Sequence, residues 1–289
     1  MSVTKAVIPI AGFGTRFLPS TLSVPKVMIP ILNKPPLHFA VEEAATSGID
    51  HVILIVSENQ RSVLQYFQPN TEVENLLETR GNYELLRSIK EIANLADISL
   101  VIQNDPLGLG HAIYLSKSQV GNESFAVLLP DDFIESENPT IGKMIDIGAD
   151  NDGFVIALKK VKREQIPHLG IVGMTPQKNS LLAEINSMVE KPNISEAPSD
   201  IAIIGRYILP PAVFNEIERL RPGALGEIQL TDALSGLLST HSCLGFLFPG
   251  HHFDVGTPTG LLKASTYLAL KKDDIRPQFT EWIREELDV

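Results

Sequence analysis

The sequence predicts an α/β fold, a mixed and mainly parallel β-sheet flanked by helices with a smaller β-rich portion packed on it. Three observations carry that expectation. Short apolar runs alternate with helix-period stretches through the early part of the chain. After about residue 160, strand-like runs follow one another with no long helix between them. Hydrophobic residues make up 44% and charged residues 20%, the balance of a globular chain and not of a disordered one.

The strand-like runs are Ala6–Ile10, His51–Val56, Ser99–Gln103, Phe125–Pro130, Phe154–Leu158, Ile171–Met174, Ile201–Leu209 and Leu244–Phe248. Between the early ones, Pro36–Ser47 carries apolar residues at Leu37, Ala40, Val41, Ala44 and Ala45 and stops at Gly48, as a helix ended by glycine does. A longer helical region is expected over Val73–Leu95, and two more helices over Glu227–Ser239 and Pro258–Lys271. Strand, helix, strand in succession implies right-handed crossovers and parallel pairing. A last amphipathic stretch, 278–287, lies beyond Pro277 and is read as a surface for subunit contact. With no internal repeat and no low-complexity linker, residues 1–289 are expected to form a single domain.

Composition also excludes some functions. A net charge of −11 argues against a nucleic-acid or anionic-membrane partner. It leaves room for a small anionic ligand, because a phosphate needs only a few local cations and backbone N–H groups. No apolar run approaches the ~18 residues of a membrane span, and the apolar stretch near the N-terminus is too short for a signal-peptide core. The single cysteine, Cys243, excludes an internal disulfide and a multi-cysteine metal site. The expected location is the cytoplasm.

Ala11-Gly12-Phe13-Gly14-Thr15-Arg16 follows directly on the first strand. Glycines there let backbone amides approach a phosphate or a base edge. Phe17 stands where a dinucleotide fingerprint has its third glycine, and no Gly-Lys-Ser/Thr follows, so the motif is neither that fingerprint nor a P-loop. Alone, Gly-x-Gly is equally an ordinary turn. Arg16 and, a little further on, Lys26 of Pro25-Lys26 tip the reading, since a forked and a point cation together suit a triphosphate.

Gln103 ends the third strand and precedes Gly108-Leu109-Gly110-His111-Ala112. A glutamine amide presents a donor and an acceptor side by side, which matches a base edge, and Gly108 could admit the base against the backbone. The plainer alternatives are a polar strand end for Gln103 and a packing residue at a helix start for His111. Asp131-Asp132 closes the apolar run Phe125–Pro130, at the strand end where parallel sheets hold ligands. Magnesium is held by one or two carboxylates plus substrate phosphates, so Asp131, with Asp254 of Phe253-Asp254-Val255-Gly256, is the candidate metal pair; turn-capping is the alternative for either. In Val189-Glu190-Lys191-Pro192 the carboxylate could accept from sugar hydroxyls while the ammonium holds a phosphate, against a solvated edge as the alternative. His251-His252 and Cys243 read as packing or surface.

In this order the segments AVIPIAGFGTRFLP, VPK, Gln103 with GLGHA, LPDD, VEKP, IIGRYIL, GEIQLTDAL and FDVG resemble the bacterial UTP–glucose-1-phosphate uridylyltransferases, within the sugar nucleotidyltransferases. The likeness spans about residues 4–272. It implies a Rossmann-like nucleotidyltransferase core with one cleft and a β-rich sugar-binding portion, Mg²⁺ as cofactor, and a homodimer or homotetramer. It also implies uridylyl transfer from UTP to glucose 1-phosphate. By position, Ala11, Gly12, Gly14, Gln103 and Gly108 would hold the nucleotide, and Arg16 and Lys26 its triphosphate. Asp131 and Asp254 would hold the metal, and Gly170, Glu190 and Lys191 the sugar phosphate; Arg16, Lys26, Asp131 and Lys191 form the catalytic group.

Two departures keep alternatives open. The family usually reads Pro-Lys-Glu-Met where this chain has Pro25-Lys26-Val27-Met28, so Lys26 lacks a neighbouring carboxylate. This is read as a rewiring, with Val27→Glu expected to change kcat by no more than about tenfold. Thr257-Pro258-Thr259 is closer to sister enzymes, which keeps a thymidylyl- or cytidylyltransferase open. A weakly active regulatory paralogue that binds nucleotide is the reading from another class.

Overall fold

The computed structural model describes residues 3–149, 153–178, 180–222 and 226–287. The chain starts with β1 (Lys5–Pro9), α1 (Pro36–Thr46) and β2 (His51–Val56), then passes a helical pair, α2 (Thr71–Thr79) and α3 (Tyr83–Ala93), into β3 (Asp97–Ile102). Short helices α4 (Leu109–Tyr114) and α5 (Lys117–Val120) lead to β4 (Phe125–Leu128), β5 (Asp132–Glu135) and α6 (Thr140–Ala149). Strands β6 (Phe154–Lys160), β7 (Gly170–Pro176), β8 (Leu182–Glu190) and β9 (Ile201–Leu209) follow. Helices α7 (Val213–Arg219) and α8 (Leu230–Leu237), strands β10 (Cys243–Leu247) and β11 (His251–Asp254), and helices α9 (Pro258–Lys271) and α10 (Arg276–Leu287) complete the order.

Nine strands form one sheet in the order β3-β2-β1-β4-β9-β6-β10-β8-β7. Strands β3, β2, β1 and β4 are parallel, as are β10 and β6, and the remaining pairs are antiparallel. The sheet is therefore mixed, with its β-rich later strands continuing the first ones edge to edge. A second sheet pairs only β5 with β11.

Alternation within the strands explains the layering, because successive strand residues face opposite sides. Val7, Ile53 and Val127 face one apolar cluster with Ile113, Phe214 and Leu234, which come from α4, α7 and α8. Their neighbours Ala6, Ile8, Val52, Leu54 and Ala126 face the other, with Leu37 and Val41 of α1 and Met144 of α6. Helices thus cover both faces, and continuous apolar runs such as His51–Val56 read as doubly covered strands.

Several boundaries depart from the sequence expectation. The region Val73–Leu95 is two helices, because Gly81 takes a left-handed φ of 69° and Asn82 caps the second helix by accepting from the Leu85 amide. The helix expected from Glu227 begins only at Leu230. Before it, the Ile228 amide donates to Leu107 and its carbonyl accepts from Gly110, which holds that segment extended. The last helix starts at Arg276, with Pro277 in its first turn, where a missing N–H leaves no bond unmade. Strands β5, β8 and β11 and helices α4 to α7 were not marked from the sequence.

Candidate functional site

Parallel β1, β3 and β4 deliver three loops to one edge of the sheet: the glycine turn after Ile10, the segment after Gln103, and the Asp131 turn. Between the first two lies a cleft of about 310 Å³ lined by residues including Ala11, Phe13, Pro25, Gln60, Gln103 and Pro106. A larger groove of about 790 Å³ runs between α1 and α3, away from this edge.

Gly14 is left-handed (φ 63°), and a Cβ there would stand 2.9 Å from the Lys26 Cβ, so glycine is what allows the turn to close on that lysine. Gln60 was missed from the sequence; its Nε2 donates to the Gly12 carbonyl at 3.3 Å. Gln103 is 6% exposed, and its Nε2 meets His111 Nδ1 at 3.0 Å and the Gly108 carbonyl at 3.4 Å. His111 is therefore the glutamine's partner and not simply a packing residue. Gly108 (φ 98°) lies so close to the Ile228 backbone that a Cβ would come within 2.8 Å of its carbonyl oxygen.

Lys26 reaches across this edge to Asp131, Nζ to Oδ2 2.5 Å. Asp131 and Asp254 converge on Gly256, whose missing Cβ would lie 3.1 Å from Asp131 Oδ2 and 3.0 Å from Asp254 Oδ1. The Val255 amide also donates to the Asp131 carbonyl, tying the two segments together. Burial, then Asp132 and Asp131, raise the Asp254 carboxyl above its usual range, while Arg16 acts against them. Arg16 is thus close enough to feel Asp254. Among the described residues no three His, Cys, Asp or Glu side chains form a complete metal cage. Two hard carboxylates on one spot are the donor set expected for Mg²⁺ that is shared with phosphates.

Asp132 does something else. Its Oδ1 lies 2.6 Å from His252 Nε2 and its Oδ2 accepts from the Gly205 amide at 3.0 Å. Burial pushes its carboxyl up, but His252, Arg206 and the Gly205 amide outweigh that and hold it below the usual range. His252 is therefore the partner of Asp132, beyond the packing or surface role expected. Arg206, 2% exposed, forks onto Glu43 through Nε and Nη2 and donates from Nη1 to the Leu129 and Gly205 carbonyls.

Glu190 ends β8 opposite Gly170 at the start of β7, and Lys191 follows it. Thr231 donates to Glu190 Oε2 at 2.6 Å, and Lys191 Nζ lies 3.2 Å from Oε1. Lys191 itself takes a left-handed φ of 45°, unusual for a residue with a side chain. Tyr207 links this corner to the carboxylates: burial first, then Asp132, Glu190 and Asp131, push its phenol far up. Of the sequence-predicted site residues, the fold thus brings together Lys26 with Asp131 and Asp254, and Gly170 with Glu190 and Lys191. Val27 does not join them. It is 2% exposed and belongs to the apolar cluster that includes Ile8, Ile10, Leu37 and Val41, while the counter-charge of Lys26 comes from Asp131.

Comparison with known proteins gives the family. The nucleotidyl transferase family profile matches residues 5–271. A Staphylococcus saprophyticus protein named UTP–glucose-1-phosphate uridylyltransferase 1 is 40% identical over 284 residues, which cover 98% of this chain and 99% of that one. A UTP-bound UDP-glucose pyrophosphorylase from Acinetobacter baumannii superposes with a TM-score of 0.90 at 34% identity, covering 98% of this chain and 99% of that one. A UDP-glucose pyrophosphorylase complexed with UDP-glucose gives 0.84 at 36% identity, covering 94% and 100%. The chain belongs to the nucleotidyl transferase family and, within it, to the UTP–glucose-1-phosphate uridylyltransferases.

Proposed function

We propose that this chain transfers the uridylyl group of UTP to glucose 1-phosphate, giving UDP-glucose and pyrophosphate, with Mg²⁺ as cofactor. The observation that carries the reading is the convergence of Asp131 and Asp254 on Gly256, with Lys26 on Asp131. The names of the relatives and the UTP and UDP-glucose bound to two of the neighbours support the choice of substrates.

A phosphate monoester has a second pKa near 6, so at neutral pH the sugar phosphate is mostly a dianion and needs no general base. Its oxygen attacks the α-phosphorus of UTP, and the bond from that phosphorus to the oxygen bridging the β-phosphorus breaks as pyrophosphate leaves. The chain's own contribution is positioning and charge neutralisation. Ala11, Gly12, Gly14, Gln103 and Gly108 hold the nucleotide. Gly170, Glu190 and Lys191 hold the sugar phosphate, and Lys26 with Arg16 stabilises the departing pyrophosphate. Asp131 and Asp254 would hold the Mg²⁺, which when bound supplies charge neutralisation at the phosphates.

The same reading makes the enzyme a cytoplasmic homodimer or homotetramer, with α10, which buries none of its described side chains, as the surface for subunit contact. Pyrophosphate release, measured with purified protein over a panel of triphosphates and sugar 1-phosphates, tests the substrate assignment. UTP with glucose 1-phosphate should give the highest kcat/KM. A preference for dTTP or CTP would move the chain to a sister activity, and UTP binding without turnover would make it a regulatory paralogue.

A further inference from the structure

Three carboxylates crowd the end of β4 and the start of β5. Asp131 and Asp132 are adjacent, and Asp254 faces Asp132 across the β5–β11 ladder. Like charges this close repel one another. The fold separates their roles by giving Asp132 partners of its own on both oxygens: His252 Nε2 at 2.6 Å and the Gly205 amide at 3.0 Å. Arg206 secures the far side of that arrangement, through the Gly205 and Leu129 carbonyls. His252 sits on β11, two residues before Asp254, and its ring spans to the opposite strand. One imidazole therefore both engages the surplus carboxylate and ties the strand carrying Asp254 to the turn carrying Asp131.

We propose that His252 is a positioning residue of the metal site: by holding Asp132 against the Gly205 amide, it leaves Asp131 and Asp254 as the pair that receives a divalent cation. The proposal rests on the assignment of those two aspartates as metal carboxylates. Without the imidazole, Asp132 keeps only the Gly205 amide and β11 loses a side-chain tie to β5, so the strand carrying Asp254 is held less firmly against the turn carrying Asp131. Removing a ligand's own hydrogen-bond partner commonly changes metal affinity by about 10- to 100-fold, and His252, which acts one step further out through Asp132 and β11, is expected at the lower end of that range.

The test is Mn²⁺ binding to the UTP-saturated protein, followed by electron paramagnetic resonance, alongside UTP affinity in EDTA and the thermal midpoint. His252→Leu should weaken Mn²⁺ binding at least about tenfold and leave metal-free UTP affinity within about twofold, a split that general loosening of the fold would not produce. His252→Gln places its Nε2 close to where the imidazole Nε2 stands and should retain the wild-type Mn²⁺ affinity. His252→Asn is too short to reach Asp132 and should lose it. This pair carries the test if the leucine variant does not fold. Equal Mn²⁺ affinities in the glutamine and asparagine variants, or a folded leucine variant with wild-type affinity, overturn the positioning role alone. Wild-type protein that adds nothing to the Mn²⁺ affinity of UTP, matched by Asp131→Asn, overturns the metal assignment and this proposal with it.

Discussion

Lys26 and Asp131 form an ion pair, Nζ to Oδ2 2.5 Å, between residues that the sequence alone assigns to different partners. The lysine was expected at the triphosphate and the aspartate at the metal. Both side chains are only partly exposed, so the pair is an internal contact of the site and not a loose surface one. Each residue can take its proposed partner only as this pair opens or is shared.

On the proposed assignment, Asp131→Asn should remove most of the turnover, because it takes away the proposed metal ligand and also leaves Lys26 without its carboxylate. The expected loss in kcat is about a thousandfold, or ~4 kcal/mol. Steady-state rates of pyrophosphate release check it, and near-normal turnover of the variant, or of the native protein in EDTA, would remove Asp131 from the metal role.

Lys191 can leave Glu190 for a phosphate because Thr231 keeps hold of that carboxylate through Oε2. Lys191→Ala should raise KM for glucose 1-phosphate far more than KM for UTP. The loss should match a charge-assisted hydrogen bond, about 1.5–3 kcal/mol. Equal changes in both KM values would mean that the lysine serves the fold.

Gln103 is held by His111 and the Gly108 carbonyl, so its amide is presented in a fixed orientation at the cleft. Gln103→Ala should erode the preference for UTP over CTP more than it lowers the best rate, since a site built to hydrogen-bond its ligand rejects others by leaving groups unpaired. His111→Ala should shift the preference the same way, by less. Competition assays with both triphosphates decide, and unchanged discrimination would transfer base reading to the Ala11 and Gly12 backbone.

To the tenfold limit on kcat expected for Val27→Glu, the burial of Val27 adds a cost in stability. The side chain lies in an apolar cluster, so the substitution buries a carboxylate among Ile8, Ile10, Leu37 and Val41. The expected cost is about 3–5 kcal/mol, that of an uncompensated buried charge. Urea unfolding should show the midpoint falling steeply, while Val27→Ile should stay close to the native value.

Glu42 gives stability a pH dependence. Its carboxyl is lowered from the ordinary 4.5 to about 2 by His38, 3.3 Å away, and by Lys34, against the opposing push of burial. A carboxylate depressed in the folded state contributes stability that is full above the unfolded value near 4.5 and lost as pH falls toward about 2. Thermal midpoints measured from pH 5 to pH 2 should fall less steeply for Glu42→Gln than for the native protein. Parallel curves would show that the groove between α1 and α3 does not set the acid limb.

The sequence by itself determined the α/β class, most strands of the main sheet, the glycine turn with Arg16 and Lys26, and the candidate carboxylates. Those features are local: period, punctuation and the side chain that ends a strand are all written in adjacent residues. It also carried the family, because the motifs keep their order along the chain. The tertiary structure alone decided that Lys26 meets Asp131, that Thr231 holds Glu190, and that Val27 turns away from the site. It alone gave His252 a role, since Asp132 lies 120 positions away and is reached only because β11 pairs with β5. A hydrogen bond between distant residues leaves no periodic trace in either segment. Only the register of the strands, fixed by what each face buries, brings the two side chains together.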